Sequence, residues 1–92
     1  KEDYLYVPNA FSPDGKLHNP SFQVESIGVL ALEVQVFNRW GEIIFSSDKL
    51  RFNWDGTYKG KDCQQGVYIY KIKYTTWYEK NLEENGTVTL VR

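Results

Sequence analysis

The sequence has very few of the residues on which catalysis and metal binding usually depend. Its 92 residues include one cysteine, Cys63, one histidine, His18, and no methionine. A lone cysteine excludes an intramolecular disulfide and a thiolate-only metal site, and we interpret it as a loop residue without a role. Nucleophilic triads need a histidine base, and His18 lies in a polar segment with no evident nucleophile nearby. We therefore predict no catalytic residue, no cofactor and no enzymatic activity.

Long apolar runs and concentrated charge are also missing. No stretch approaches the roughly 20 apolar residues of a transmembrane helix, so we expect no direct membrane insertion. The formal net charge is −1, with acidic and basic residues interspersed. Nucleic-acid binding would require a basic patch, so this class of partner is disfavoured. The length suits one domain, residues 1–92, and we expect a monomer.

Aromatic residues are abundant, at 16% of the chain. No segment shows the apolar spacing of a helix, whereas short alternating runs recur between Gly, Pro, Asn and Asp residues. These patterns predict an all-β fold, an immunoglobulin-like antiparallel β-sandwich of about seven strands. The predicted strands are Tyr4–Val7, Ser21–Glu25, Leu30–Phe37, Glu42–Phe45, Phe52–Trp54, Val67–Thr75 and Gly86–Val91.

The middle hairpin allows a prediction of register. Val34 and Val36 alternate with polar residues, and a turn at 38–41 ends in a glycine that can adopt a positive φ. If the ends of that turn oppose each other, Val36 pairs with Ile43 and Val34 pairs with Phe45. A one-residue slip would turn Phe45 to the wrong face, so this register is favoured, with a bulged turn as the alternative.

The strongest strand pattern begins at Gly66. Lys71 and Lys73 mark its solvent face, so the intervening side chains should point inward: Tyr68, Tyr70, Ile72 and Tyr74. The Gly66-x-Tyr68 sequence also resembles the approach to a tyrosine corner, in which the hydroxyl donates to backbone just upstream. The final segment, Gly86–Arg92, alternates in the same way, with Val88 and Leu90 inward and its threonines outward.

Two loops raise the question of a functional site. Asn9, Asp14 and Asn19 could offer oxygens to a cation, but Asp14 precedes a glycine and is first a turn signal, so we predict no metal. Asp55 and Gly56 likewise indicate a tight turn, in which the Asp side chain bonds to the backbone ahead of it. Trp54, just before them, is interpreted as a core anchor.

Several ordered motifs together resemble one known family, the gliding-motility-associated C-terminal domains. These are the type B C-terminal domains of cargo proteins of the type IX secretion system. The resemblance covers nearly the whole chain, although Lys16 and its neighbours depart from the acidic run that usually continues the family's opening loop. The matching segments are Val7–Gly15, Asn38–Glu42, Trp54–Thr57, Gly60–Lys61, Gly66–Tyr68 and Gly86–Arg92.

The resemblance implies a folded sorting signal, excised here from a larger exported protein that passes through the periplasm to the cell surface or the medium. The expected partners are the outer-membrane translocon and a small outer-membrane β-barrel receptor. Recognition would use either a composite surface or strand addition along Gly86–Arg92. The candidate recognition residues are Arg39, Trp40, Gly41, Asp55, Gly56, Lys59, Thr87, Thr89 and Arg92.

A different class of function is the alternative. A carbohydrate-binding or adhesive β-sandwich module would use exposed aromatic side chains as a stacking platform. The sequence offers Trp77 and Tyr78 in a polar stretch, together with Tyr4 and Tyr6 near the start of the chain.

Overall fold

The computed structural model describes residues 3–16 and 19–92, and within those ranges the chain forms nine β-strands. None of the described residues belongs to a helix that could cross a bilayer. The all-β class predicted from the sequence is confirmed. The strands are β1 (Tyr4–Tyr6), β2 (Ala10–Phe11), β3 (Glu25–Ile27), β4 (Val29–Phe37), β5 (Ile43–Ser47), β6 (Thr57–Tyr58), β7 (Lys61–Asp62), β8 (Gly66–Thr76) and β9 (Asn81–Leu90).

Five strands form the main sheet, in the order β2-β9-β8-β4-β5. The three pairs β9–β8, β8–β4 and β4–β5 are antiparallel, but β2 runs parallel to β9, with Phe11 beside Leu90. The prediction of a purely antiparallel sheet is therefore wrong at this one pair. The physical reason is that β2 is only two residues long and docks on the last residues of β9, where Val91 donates its amide to the Phe11 carbonyl at 2.9 Å.

The hairpin β4–β5 has a different register from the predicted one. Val36 pairs with Phe45 and Val34 with Ser47, not with Ile43 and Phe45 as predicted. The turn holds one residue more than expected, because the Asn38 amide donates to the Glu42 carbonyl at 3.0 Å, and a bulge follows it. The net shift is two residues. Since side chains alternate with a period of two, Phe45 keeps its predicted face.

The long strand β8 follows its predicted alternation. Tyr68, Tyr70 and Ile72 are buried, and Tyr74 packs against the core. The predicted tyrosine corner is present, since the Tyr68 hydroxyl donates to the Gln64 carbonyl at 2.6 Å. The packing between the strands is tight enough to explain one glycine: a Cβ at Gly86 would lie 2.6 Å from the Tyr70 hydroxyl oxygen.

The last strand is longer than predicted. It begins at Asn81 rather than Gly86, because Asn81–Asn85 continues the pairing with β8 despite its polar sequence. The predicted inward residues Val88 and Leu90 are fully buried.

An aromatic layer covers the inward face of the sheet, which is compatible with a β-sandwich. Its backbone is mostly irregular. Of the predicted strands Ser21–Glu25 and Phe52–Trp54, only Glu25 belongs to an observed strand, β3. Otherwise they form one bridge, in which Phe22 and Trp54 exchange two hydrogen bonds of 2.8 and 3.1 Å. The large aromatic rings are held here by side-chain packing rather than by a long ladder of backbone hydrogen bonds. Each such ring contributes roughly 2–3 kcal/mol by burial. The fully or nearly fully buried aromatics are Phe11, Phe22, Phe52, Trp54, Tyr68 and Tyr70.

Candidate functional site

The turns that carry the sequence motifs gather at one end of the main sheet. Register shows this directly, since Phe37 pairs with Ile69, Gly66 with Leu90, and Phe11 lies beside Leu90. The loops that adjoin these residues must therefore leave the sheet at the same end. We call this region the motif end and define it as residues 12–16, 38–42, 55–66 and Arg92.

Arg92 ties the segments of the motif end together. Its Nη2 donates to the Gly56 carbonyl at 2.8 Å and its Nε donates to the Cys63 carbonyl at 2.7 Å. The Arg92 amide donates to Oε1 of Gln65 at 2.9 Å, while its carbonyl accepts from Nζ of Lys16 at 2.6 Å. The planar guanidinium suits two carbonyls in fixed directions. This side chain, predicted to be a recognition residue, therefore joins the loops of the motif end. We call this set of Arg92 hydrogen bonds the latch.

The Asp55–Gly56 turn has a conformation that lets Arg92 approach closely. Oδ1 of Asp55 accepts from the Thr57 amide at 3.2 Å and from the Thr57 hydroxyl at 2.7 Å, as the turn prediction required. Gly56 has a φ of +85° and is buried. A Cβ there would lie 3.1 Å from Nη2 of Arg92 and 3.3 Å from Cδ1 of Leu90. Gly56 is thus a packing position and offers no side chain to a partner.

The turn at 38–42 presents the most exposed tryptophan. Oδ1 of Asn38 accepts from the amides of Trp40 and Glu42 at 2.9 and 3.0 Å, and Gly41 takes a φ of +82°. Trp40 is 78% exposed, with the Arg39 guanidinium 5.0 Å from its ring centroid. A self-bonded turn holds these two side chains toward solvent.

Lys59 lies on the neighbouring hairpin. It has a φ of +53°, and its ammonium lies 5.3 Å from the Tyr58 ring centroid. The Tyr58 hydroxyl contacts Oε2 of Glu42 at 3.3 Å and joins this hairpin to the tryptophan turn. Sequence reasoning did not find this contact. The alternation of charged and aromatic residues in both turns is the only signal that could have suggested it.

A shallow groove of about 390 Å³ lies between the two turns. Its apolar lining comes mainly from Trp40, Ile44, Tyr58 and Tyr68. Cys63 also reaches it, and burial raises the pKa of this thiol, opposed by the nearby Arg92 charge. The thiol therefore stays protonated near neutral pH and is not an activated nucleophile. Apolar contact is the interaction that such a groove can offer.

The loop with the weak metal candidates is closed by its own hydrogen bonds. The Ser12 hydroxyl donates to Oδ1 of Asp14 at 2.6 Å, and this bond lowers the pKa of the carboxyl group. Asn19 donates its side-chain amide to the Ala10 carbonyl, and the Asn9 carbonyl accepts from the Thr89 amide. Across 3–16 and 19–92, no three acidic, histidine or cysteine side chains group to hold a metal. His18 lies outside the described residues.

The threonines of the last strand occupy the outward face of the sheet. Thr87 is exposed and Thr89 is half-buried. The outer edge beside Thr89 is already paired, because its amide donates to Asn9 and β2 runs alongside. The hypothesis that the terminal segment is a free edge strand is therefore wrong for its last residues.

The outward face of the main sheet divides into two halves. Near the motif end, one row across four strands is largely apolar, joining Ile43, Phe37, Ile69 and Thr87. Ile43 and Ile69 are 45% and 48% exposed. The next rows are polar or charged: Gln35, Lys71 and Asn85, then Glu33, Lys73 and Glu83. The apolar row extends the exposed surface of the motif end onto the sheet.

Comparison with known families decides the class of this domain. The model of the CHU_C type IX secretion signal domain matches residues 5–90. The chain belongs to this family. The resemblance to the C-terminal domains of type IX cargo is confirmed. The domain is a sorting signal for type IX secretion that engages the secretion machinery and directs export to the cell surface or extracellular space. No curated protein and no solved structure matches the chain.

Proposed function

We propose that the secretion machinery recognises this signal domain through the motif end, as one rigid composite surface. The observation that supports the proposal is the convergence of the motif turns around the Arg92 latch. Preorganised loops lose little conformational entropy on binding, so their exposed side chains can contribute fully to affinity. Trp40, Arg39 and Lys59 are among the exposed side chains of this surface. Trp and Arg are also the residue types that most often dominate binding energy.

The composite surface is favoured over strand addition at the terminal segment. Strand addition needs unpaired backbone groups, and β2 already takes those of Thr89 and Val91. Asp55 and Gly41 then act by shaping the turns, while Gly56 and Arg92 hold them together. Thr87 lies on the outward face beside the apolar row and would contribute to the rim of the same surface.

The receptor in this proposal is a small outer-membrane β-barrel protein that delivers the cargo to the translocon. The domain folds in the periplasm, acts as a monomer and performs no chemistry itself. The neutral Cys63 thiol and the hydrogen-bonded Asp14 support a non-catalytic role, because neither is poised as a nucleophile or base.

Export of a reporter tests the proposal. Residues 1–92 are fused to a periplasmic fluorescent protein in a host that carries the machinery, and the fraction released or surface-bound is measured. The double variant Arg39→Ala/Lys59→Ala should reduce export by about tenfold or more, because it removes two charged contacts of the surface. Its melting temperature should stay close to that of the unchanged domain, since both side chains are exposed.

The matched control removes two cations elsewhere. Lys71→Ala/Lys73→Ala alters the charged half of the outward sheet face and keeps the same net charge change. Full export of this control together with loss in the Arg39/Lys59 variant supports the proposal. Equal export from both variants would show that the cations of the motif end are only structural.

A further inference from the structure

We propose that the end of the domain opposite the motif end binds a neutral, extended polysaccharide. We call this region the groove end and define it as Tyr4, Tyr6, Glu25, Arg51, Trp77 and Tyr78. It lies away from the motif end because Val29 pairs with Thr76 at the far limit of β4 and β8. This activity goes beyond export, and no feature of the sorting surface requires it.

The groove end has an unusual density of exposed aromatic rings. Trp77 and Tyr78 are 61% and 55% exposed, and Tyr4 and Tyr6 are 46% and 58% exposed. Trp77 and Tyr4 line the same groove, whose volume is about 500 Å³. Aromatic faces with a polar handle are suited to ligands that are apolar on one face and hydroxyl-rich at the edge. Sugar rings have this character.

The groove continues along the β1–β3 ribbon. A second groove of about 150 Å³ is lined by Tyr6 and shares Val24 and Glu25 with the first. Tyr4 and Tyr6 are two residues apart in one strand, so they point to the same face about 7 Å apart. The aromatic platforms therefore follow a line, which suits a straight chain of sugar units better than a compact ligand.

The loop that presents Trp77 is fixed before any ligand arrives. The Trp77 amide donates to the Gly28 carbonyl at 2.9 Å. The buried Thr76 closes the turn: its amide donates to the Lys80 carbonyl at 2.9 Å, and its hydroxyl accepts from the Lys80 amide at 3.2 Å. Glu79 adopts a φ of +63°, a conformation that is unfavourable for a residue with a side chain. The chain thus maintains a strained turn that leaves two aromatic rings in solvent.

The polar groups of the groove indicate a neutral ligand. Arg51 and Glu25 line it together and balance each other in charge, and Ser26 adds a hydroxyl. A phosphate-rich polymer would require a surplus of cations, which these lining residues do not provide. Guanidinium, carboxylate and hydroxyl groups are instead suitable donors and acceptors for sugar hydroxyls. An exported domain meets such polysaccharides at the cell surface.

Affinity gel electrophoresis of the purified 92-residue chain tests this proposal. Three neutral, extended polysaccharides serve as probes, namely hydroxyethylcellulose, arabinoxylan and galactomannan, with coiled dextran as the comparison. At least one extended probe should retard migration, and dextran should not. Trp77→Ala and Tyr4→Ala should each weaken binding by about tenfold, whereas Trp77→Phe should retain most of it because a stacking face remains.

Trp40→Ala is the matched control, because it removes another exposed tryptophan, this one from the motif end. Unchanged retardation of this variant, with an unchanged melting temperature for Trp77→Ala, assigns the binding to the groove end. The proposal is overturned if none of the three probes retards the unchanged domain, or if Trp40→Ala weakens binding as much as Trp77→Ala. It is also overturned if gel filtration shows a dimer that Trp77→Ala dissociates, since a second copy would then occupy the groove.

Discussion

The motif end and the groove end are built in opposite ways. At the motif end, one guanidinium holds the carbonyls of Gly56 and Cys63 and so joins separate loops. At the groove end, short strands and a tight turn leave four aromatic rings exposed. The comparison shows that a residue can belong to a sequence motif without presenting its side chain to a partner. Most motif residues fix the backbone, and only a few side chains, Trp40 above all, remain available to a partner.

Removing the Arg92 side chain should give the largest difference in stability between a variant of the motif end and a variant of the groove end. Arg92→Ala removes the guanidinium donor from two backbone carbonyls, of which only Gly56 keeps another donor, the Cys63 amide, so the free energy of unfolding should fall by about 2 kcal/mol. Arg92→Lys should recover only part of this loss, because an ammonium group cannot donate in two fixed directions. Arg51→Ala at the groove end should change the free energy of unfolding by less than about 0.5 kcal/mol. Urea unfolding of the three variants measures these differences.

If Arg51→Ala lowered the free energy of unfolding as much as Arg92→Ala, the contrast between the motif end and the groove end would be contradicted. Full recovery by Arg92→Lys would contradict it too, since it would show that charge alone, without the geometry of the guanidinium group, stabilises the loops.

Two glycines of the motif end provide a finer comparison. Gly56 and Gly41 have nearly the same φ, +85° and +82°, so alanine should cost each about 1–2 kcal/mol in backbone conformation. Only at Gly56 does the new methyl group meet neighbours, including Arg92 and Leu90, whereas Gly41 faces open space. We expect Gly56→Ala to be the more destabilising by about 1 kcal/mol. Thermal unfolding of both variants would refute this if their losses were equal.

The smallest expected effect is a loss of stability at alkaline pH. Burial raises the pKa of Tyr68 and of Tyr70, in the latter case with help from the nearby Glu84 carboxylate. The folded state therefore holds these phenol protons more tightly than the unfolded state, and stability must fall as pH rises past about 10. Tyr68→Phe should make the decline shallower. Unfolding free energies measured between pH 8 and pH 11 check this, and an unchanged slope would contradict it.

Local sequence patterns predicted much of the fold. The alternation of β8 gave the inward Tyr68 and Tyr70, and the Gly66-x-Tyr68 spacing gave the tyrosine corner, because both depend on neighbours within a few residues. The hairpin register was predicted two residues away from the observed one. Its five-residue turn and bulge depend on the Asn38 side chain bonding to two amides, which alternation alone does not encode.

Long-range contacts were beyond the reach of the sequence. The parallel pairing of Phe11 with Leu90 joins distant segments, and two residues of strand carry no periodic signal. The latch was missed for the same reason, since Arg92 contacts Gly56 and Lys16, which lie 36 and 76 residues earlier in the chain. Charged and glycine residues in a motif suggested recognition, but the structure uses several of them to join loops.

A side-by-side export measurement of two tryptophan variants tests the central claim most directly. Trp40→Ala and Trp77→Ala each remove one exposed ring, so neither should change the melting temperature appreciably. In the reporter fusion, Trp40→Ala should reduce export by about thirtyfold or more, since a tryptophan that becomes buried at an interface is typically worth about 2 kcal/mol or more. Trp77→Ala should be exported normally. Normal export of Trp40→Ala, or equal loss from both variants, would contradict the assignment of recognition to the motif end.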